Sequence, residues 1–353
     1  MRSFDVCKCG APLELMVRET PTPKGSEVLL EVLAAGVCHS DIHIWDGYYE
    51  LGGGKRLNLM ERGIKLPLTM GHENVGRVVA VGPDAKGVKV GDVRLAHPWM
   101  GCGECMVCKR GDENLCLTPR NLGVFSNGGY ADHLLVPHPR YLFDIGNLKP
   151  EQAAPLACSG VTTYSALKKV GSDEFKNQPV VIIGAGGLGL MAISLHKAMG
   201  GHSIIMVDID PVKREAALKA GAAAAIDGAA PDAAKQIIAA TKGGAWAVID
   251  LVGSSQTAQL GNASLIKGGK LIIVGLFGGD ITVPTPYFPM RAMTIQGSYV
   301  GSLTEMKELL DLVKRTGAPS VPLRTRPLEE VNETLNDMRQ GKIIGRVVLT
   351  PVT

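Results

Sequence analysis

Apolar positions fall into two textures along the chain. From Met1 to about Ala153 they come as short runs broken by Gly and Pro: Val28 to Val32, Gly76 to Val81, Asp92 to His97 and Tyr130 to Val136. Runs of this length bounded by turn formers predict the strands of an irregular β-rich domain. Between Gly47 and Pro67 the chain turns polar around Leu51-Gly-Gly-Gly-Lys-Arg56, which reads as an exposed excursion with a short helix near Asn58 to Arg62. The purpose of that excursion is not readable from sequence.

After Gln178 apolar runs alternate with helical periods. Val180 to Ile183, Ile204 to Val207, Ala222 to Ile226, Ala247 to Leu251, Lys270 to Val274 and Thr294 to Gly297 predict strands. Leu188 to Met199, Val212 to Ala220, Ala233 to Ala240 and Gln256 to Ile266 carry helical spacing between them. Repeated β-α units of this kind build a doubly wound parallel sheet, so the fold class is α/β. Leu303 to Thr316 and Leu328 to Arg339 are further amphipathic helices, and Arg346 to Leu349 is a closing strand.

Composition narrows the functional classes. The 353 residues suffice for two domains, and the 45% hydrophobic fraction for two cores. The 44 glycines fit a turn-rich protein better than a helical bundle. A net charge of +3 offers no electrostatic basis for binding nucleic acid or a membrane surface. No stretch approaches the ~20 apolar residues of a membrane span, and Met1 to Leu15 lacks the apolar run of a signal peptide. The expectation is a cytoplasmic protein with a small-molecule partner, in which eight cysteines serve as thiolates or metal ligands rather than disulfides. Cys7 and Cys9 flank Lys8 with no second pair nearby and read as free thiols.

Three stretches carry chemistry. Val180 to Ile183 runs into Gly184-Ala-Gly186-Gly187-Leu188-Gly189 and then a helical period. A G-x-G-x-x-G between strand and helix, with Asp208 ending the next strand, is the Rossmann dinucleotide fingerprint. The bare backbone admits a pyrophosphate to the helix N-terminus, and Asp208 would accept from the adenosine ribose while repelling a 2′-phosphate. NAD is therefore expected over NADP, although Lys213 and Arg214 lie where basic residues could accommodate the phosphate. Second, Cys102, Cys105, Cys108 and Cys116 form C-x2-C-x2-C-x7-C, which suits a closed tetrahedral zinc site with a structural job. Third, Cys38-His39-Ser40-Asp41-Ile42-His43 concentrates a thiol, two imidazoles, a hydroxyl and a carboxylate. With His72 and Cys158, which lie 34 and 120 residues beyond Cys38, it offers a Cys2His set that leaves a zinc one open position, as catalytic sites do.

These motifs, with Gly71-His72-Glu73 followed by Gly76, Gly129-Tyr130-Ala131, Cys158 to Thr162 and Gly345-Arg346, resemble in order and spacing the zinc-dependent alcohol dehydrogenases of the medium-chain dehydrogenase/reductase superfamily. The resemblance covers essentially the whole chain. It implies a GroES-like catalytic domain at residues 1–155, with 300–353 returning to it, a Rossmann NAD-binding domain at 156–299, and an active site in the cleft. It implies that Cys38, His72 and Cys158 hold the catalytic zinc, that Glu73 lies near the metal, and that Asp41 accepts from the free ring nitrogen of His72. Ser40 and then His43, at the surface with an ordinary imidazole pKa, would carry the proton out. Thr162 would pack on the nicotinamide, Val274 would meet its carboxamide, and Arg346 with His39 would contact the pyrophosphate. Neither His39 nor His43 is expected on zinc.

Trp45, Trp99, Phe125 and Tyr299 read as pocket walls, which would suit an apolar or aromatic alcohol. A polyol, amino-alcohol or ring-alcohol dehydrogenase with the same machinery is the alternative. A catalytically silent nucleotide-binding relative is opposed by the intact Cys38, His72, Cys158, Ser40 and His43. The resemblance further implies a homodimer or homotetramer joined through the Rossmann-sheet edge near Ile281 to Ser298.

Overall fold

The computed structural model describes residues 1–351. Six parallel strands lie in the spatial order Ala224–Asp227, Ser203–Asp208, Pro179–Ile183, Ala245–Asp250, Leu265–Ile273 and Thr294–Gly297. Their near-continuous apolar runs are what a sheet covered on both faces requires. Helices Gly187–Ala198, Pro211–Ala220, Ala233–Ala240 and Ser255–Ala263 make the crossovers. Strand order reverses between Pro179–Ile183 and its neighbour Ala245–Asp250, and the crevice beyond the carboxyl ends of such strands is where doubly wound sheets bind ligands.

The second body is a seven-stranded sheet in the order Leu142–Asp144, Val93–Ala96, Glu73–Val81, Val28–Val37, Arg346–Thr350 and Leu323–Pro327, with His133–Val136 also paired to Val28–Val37. The last strand enters antiparallel to Val28–Val37, with Val347 opposite Val37 and Leu349 opposite Ala35. Both chain ends therefore build one sheet. Helix Leu303–Thr316 instead buries Met306, Leu309, Leu310 and Val313 in the same apolar cluster as Val161, Leu167 and Leu190. Among the described residues no helix is long and apolar enough to cross a membrane.

The excursion departs from expectation. It is a two-stranded hairpin, Tyr48–Glu50 against Arg56–Asn58, and the helix expected at Asn58 to Arg62 is absent. Asn58 Oδ1 accepts the Met60 N–H at 2.9 Å, an Asx turn that competes with helix. Two further turns, Arg62 N–H to Leu59 C=O and Gly63 N–H to Met60 C=O, finish the reversal. The strand expected from Lys270 begins earlier, at Leu265, because a register shift lets Leu265 pair with Ala245 before Lys270 pairs with Ala247. The helix before it accordingly ends at Ala263 rather than Ile266.

Candidate active site

Helix His39–Asp46 starts at Cys38, whose extended backbone lets the Asp41 carboxylate reach back and accept the Cys38 N–H at 2.9 Å. The helix stops at Gly47, which adopts φ +81 and returns its N–H to the His43 carbonyl. Cys38 is thereby fixed at the N-terminal end. His72 immediately precedes the long strand Glu73–Val81, which Glu73 opens, and Cys158 precedes helix Ser159–Lys168. Facing atoms of Cys38, His72, Glu73 and Cys158 lie within 4.8 Å of one another, all buried. Neither His39 nor His43 joins them.

The group fits a metal on several counts. Cys38 Sγ and Cys158 Sγ are 3.9 Å apart, close to the ~3.8 Å edge of a tetrahedron with Zn–S bonds of about 2.3 Å. His72 Nδ1 faces Asp41 Oδ1 at 3.0 Å, within ion-pair distance though outside hydrogen-bond geometry, and Nε2 is buried with no polar partner of either kind among the described residues. An orphaned buried ring nitrogen is costly unless something binds it. Contact with the Cys158 thiol, and then His72, hold Cys38 well below the ordinary thiol pKa. The same contact and burial push Cys158 up. A divalent cation held between the two sulfurs would stabilise both as thiolates.

Glu73 is the fourth member of this group. Burial pushes its carboxyl up to about 7 against the opposing pull of Arg346, with which it forms a buried ion pair. Its other oxygen accepts the Ser159 N–H at 3.2 Å. Arg346 thus lines the cleft, but part of its guanidinium is already engaged by Glu73.

One cleft carries nearly all the expected cofactor residues. Cys38, His39, Ser40, His43, Cys158, Thr162, Gly184, Gly186, Gly187, Leu188, Gly189, Asp208, Lys213, Val274 and Arg346 all line it. A Cβ on Gly187 would lie 2.8 Å from Arg346 Cδ, whereas one on Gly186 would meet nothing within 4 Å. The first glycine admits Arg346, and the second leaves bare backbone facing open space, as a pyrophosphate cradle requires. Asp208 Oδ2 accepts the Ala185 N–H at 2.7 Å and Oδ1 the Asp210 N–H at 2.9 Å, which tie the carboxylate to the glycine turn.

Some expectations need correction. His43 is half-buried rather than at the surface, packed against Tyr49 and His39 at ring distances of 4.7 and 5.6 Å. Burial and then His39 drive its pKa down to about 4, not near neutrality. Trp45 does not line the cleft: it is 3% exposed, its indole N–H donates to the Ala11 carbonyl, and the Arg339 guanidinium covers its ring at 4.1 Å. Phe125 packs on the core of the catalytic sheet while its neighbour Val124 faces the cleft. Trp99 and Tyr299 are walls, their rings 5.9 Å apart, and the Trp99 N–H donates to the Ala157 carbonyl at 3.1 Å.

Sequence reasoning missed Tyr49, Leu276 and Phe277 in the lining. Tyr49 comes from the hairpin, where nothing local marks it. Phe277, an aromatic within the glycine-rich run Gly275-Leu276-Phe277-Gly278-Gly279, was the available signal.

The cysteine lobe lies apart from the cleft. Its sulfurs are 3.9 Å apart for Cys102 and Cys108, 3.5 Å for Cys105 and Cys108, and 3.9 Å for Cys105 and Cys116. The backbone N–H groups of Glu104 and Cys105 donate to Cys102 Sγ and lower its pKa to about 6, while burial pushes Cys108 up to about 12. A Cβ on Gly101 would sit 2.6 Å from Cys108 Sγ, so only glycine fits there. Four sulfurs at tetrahedral spacing leave a metal no open position.

Residues 24–147 match the alcohol dehydrogenase GroES-like domain family and residues 187–315 the zinc-binding dehydrogenase family. The chain is 41% identical over 353 residues to the NAD-dependent alcohol dehydrogenase of Sulfurisphaera tokodaii, covering 99% of this chain and 100% of that one. Among solved structures it is similar to the alcohol dehydrogenase of Aeropyrum pernix, with a TM-score of 0.89, 31% identity and coverage of 99% and 100%. It is also similar to the acetophenone reductase of Geotrichum candidum in complex with NAD, with a TM-score of 0.84, 30% identity and coverage of 99% and 97%. With donor set, glycine turn and both domain families coinciding over its length, the chain belongs to the zinc-type alcohol dehydrogenases of the medium-chain dehydrogenase/reductase superfamily.

Proposed function

We propose that this protein interconverts alcohols with aldehydes or ketones by hydride transfer, using NAD and a zinc ion held by Cys38, His72 and Cys158, with a second, structural zinc in the cysteine lobe. The observation that carries the reading is the meeting, in one cleft, of the Cys38–His72–Cys158 donor set and the glycine turn with Asp208. When bound, zinc supplies Lewis acidity that favours loss of the alcohol proton, and NAD supplies the hydride acceptor.

The chain's own residues do the rest. Asp41 fixes the tautomer of His72 so that Nε2 faces the metal. Ser40 takes the hydroxyl proton and passes it outward, and His43, whose pKa burial drives down to about 4, holds a proton only weakly at pH 7 and so hands it on toward solvent rather than keeping it. Thr162 and Val274 flank the nicotinamide position, and Asp208 holds the adenosine ribose. Ile44, Trp99, Val124 and Val300 make the remaining wall apolar, which supports apolar or aromatic alcohols over polyols. A strand at the sheet edge, Thr294–Gly297, with exposed Tyr287, Phe288 and Met290 nearby, supports pairing with a second copy. Eight free cysteines fit a reducing compartment such as the cytoplasm.

The test is an initial-rate panel of primary, secondary, aromatic and polyol substrates with NAD and NADP, run on wild type, Trp99→Ala and Trp45→Phe. Preference for apolar alcohols with NAD, altered by Trp99→Ala and not by Trp45→Phe, is the expected result. A preference for polyols would overturn the substrate reading.

A further inference from the structure

Tyr130 does not line the cleft, yet it touches Asp41 beside the metal group. It is fully buried, and its backbone is pinned on both sides: its N–H donates to the Met70 carbonyl and its carbonyl accepts from Phe4. The ring lies over the residue before His72 so closely that a Cβ on Gly71 would come within 2.5 Å of it. The phenol donates to Asp41 Oδ2 at 2.8 Å. That same oxygen receives the Cys38 N–H at 2.9 Å, and the other oxygen, Oδ1, lies 3.0 Å from His72 Nδ1.

One carboxylate therefore joins the backbone of one proposed ligand to the ring of another. A carboxylate is free to turn about its Cβ–Cγ bond, and a single backbone donor leaves that rotation weakly defined. Two donors arriving on Oδ2 fix the carboxylate plane and aim Oδ1 at the imidazole. The ring is held in the tautomer and orientation that leaves Nε2, otherwise unpartnered, for the metal. We propose that Tyr130 is a positioning residue of the catalytic zinc site, acting through Asp41 on both Cys38 and His72. This rests on the ligand set proposed above. A tyrosine used only to fill space beneath Gly71 would be replaceable by phenylalanine without consequence for the metal, because the ring supplies all the packing.

The experiment compares wild type and Tyr130→Phe, each loaded with zinc, by competition with chelators of graded strength. The cysteine lobe serves as an internal reference, and thermal melting is followed alongside. Outer partners of metal ligands typically govern 10–100-fold in affinity; for a residue one step further out, about tenfold weaker binding at one of the two sites is expected, with the other unchanged. Replacing the more labile zinc by cobalt(II) should then give a shifted visible absorption in the variant, since ligand orientation sets the band. Unchanged release at both sites with an unchanged cobalt spectrum would overturn the positioning role. Equal weakening of both sites together with a large drop in melting temperature would overturn it too, by showing general loss of structure. Zinc content unchanged in Cys38→Ala would instead overturn the ligand set itself, which separates the two failures.

Discussion

Asp208→Asn tests how the coenzyme is chosen. The substitution removes one charge and keeps nearly the same volume at the end of the strand Ser203–Asp208. In the folded protein both carboxylate oxygens are in use by the backbone, from Ala185 at 2.7 Å and Asp210 at 2.9 Å, with lone pairs left for the ribose hydroxyls. Hydrogen bonds to a charged acceptor are worth about 1.5–3 kcal/mol, which converts to a fall in kcat/KM for NAD of roughly 10- to 150-fold. The loss of charge also removes the repulsion of a 2′-phosphate. Lys213 lines the cleft, and the Arg214 guanidinium already donates to the Asp208 carbonyl at 2.8 Å, so positive charge is at hand.

The NAD-to-NADP ratio of kcat/KM should therefore fall by about tenfold or more. Stability must be read separately. The asparagine amide turns an N–H toward one of the two backbone donors and leaves it unpaired, at a cost of about 1–3 kcal/mol that a urea midpoint reports. An unchanged coenzyme ratio in a folded variant would refute the role given to Asp208.

Gly71→Ala should destabilise the protein by about 2–4 kcal/mol, because φ is +91 and the new methyl overlaps the Tyr130 ring by about 1 Å; a denaturant midpoint within experimental error of wild type would contradict this. His97 is fully buried with neither ring nitrogen partnered among the described residues, and burial lowers its pKa to about 3. The unfolded chain takes up that proton near pH 6.5 and the folded chain does not, so stability is lost as pH falls below about 6.5. By pH 5 this group alone accounts for about 2 kcal/mol. His97→Leu should flatten the pH dependence of unfolding between pH 7 and 5, and a slope identical to wild type would discount the histidine.

Legibility in the sequence followed the range of the interactions. The glycine turn and the cysteine lobe are local: their glycines and thiols stand within a few residues, and the structure brings each set together as spaced. The repeated β-α pattern was readable for the same reason, since the central strands Pro179–Ile183, Ser203–Asp208 and Ala245–Asp250 are near-continuous apolar runs. The Cys38, His72 and Cys158 set is not local: residue type and setting offered it as a Cys2His combination, and the resemblance then implied its role as the ligand set of one zinc. Trp45 and Phe125 show where reasoning by residue type fails. Both are aromatic and near the motifs, but helix phase turns Trp45 toward Ala11 and Arg339, and at Phe125 the chain exposes the preceding valine instead. The burial that lowers the His43 pKa was not legible either, because Tyr49, which packs on its ring, arrives from a hairpin whose glycine-rich sequence carries no pattern.

Metal stoichiometry tests the central claim most directly. Wild type, Cys38→Ala and Cys102→Ala are each analysed for zinc per chain by mass spectrometry, with NAD binding measured on the same samples. The account predicts about two zinc per chain in wild type, one fewer in each variant, and Cys38→Ala without turnover but with NAD binding retained. Full zinc content and activity in Cys38→Ala would contradict it.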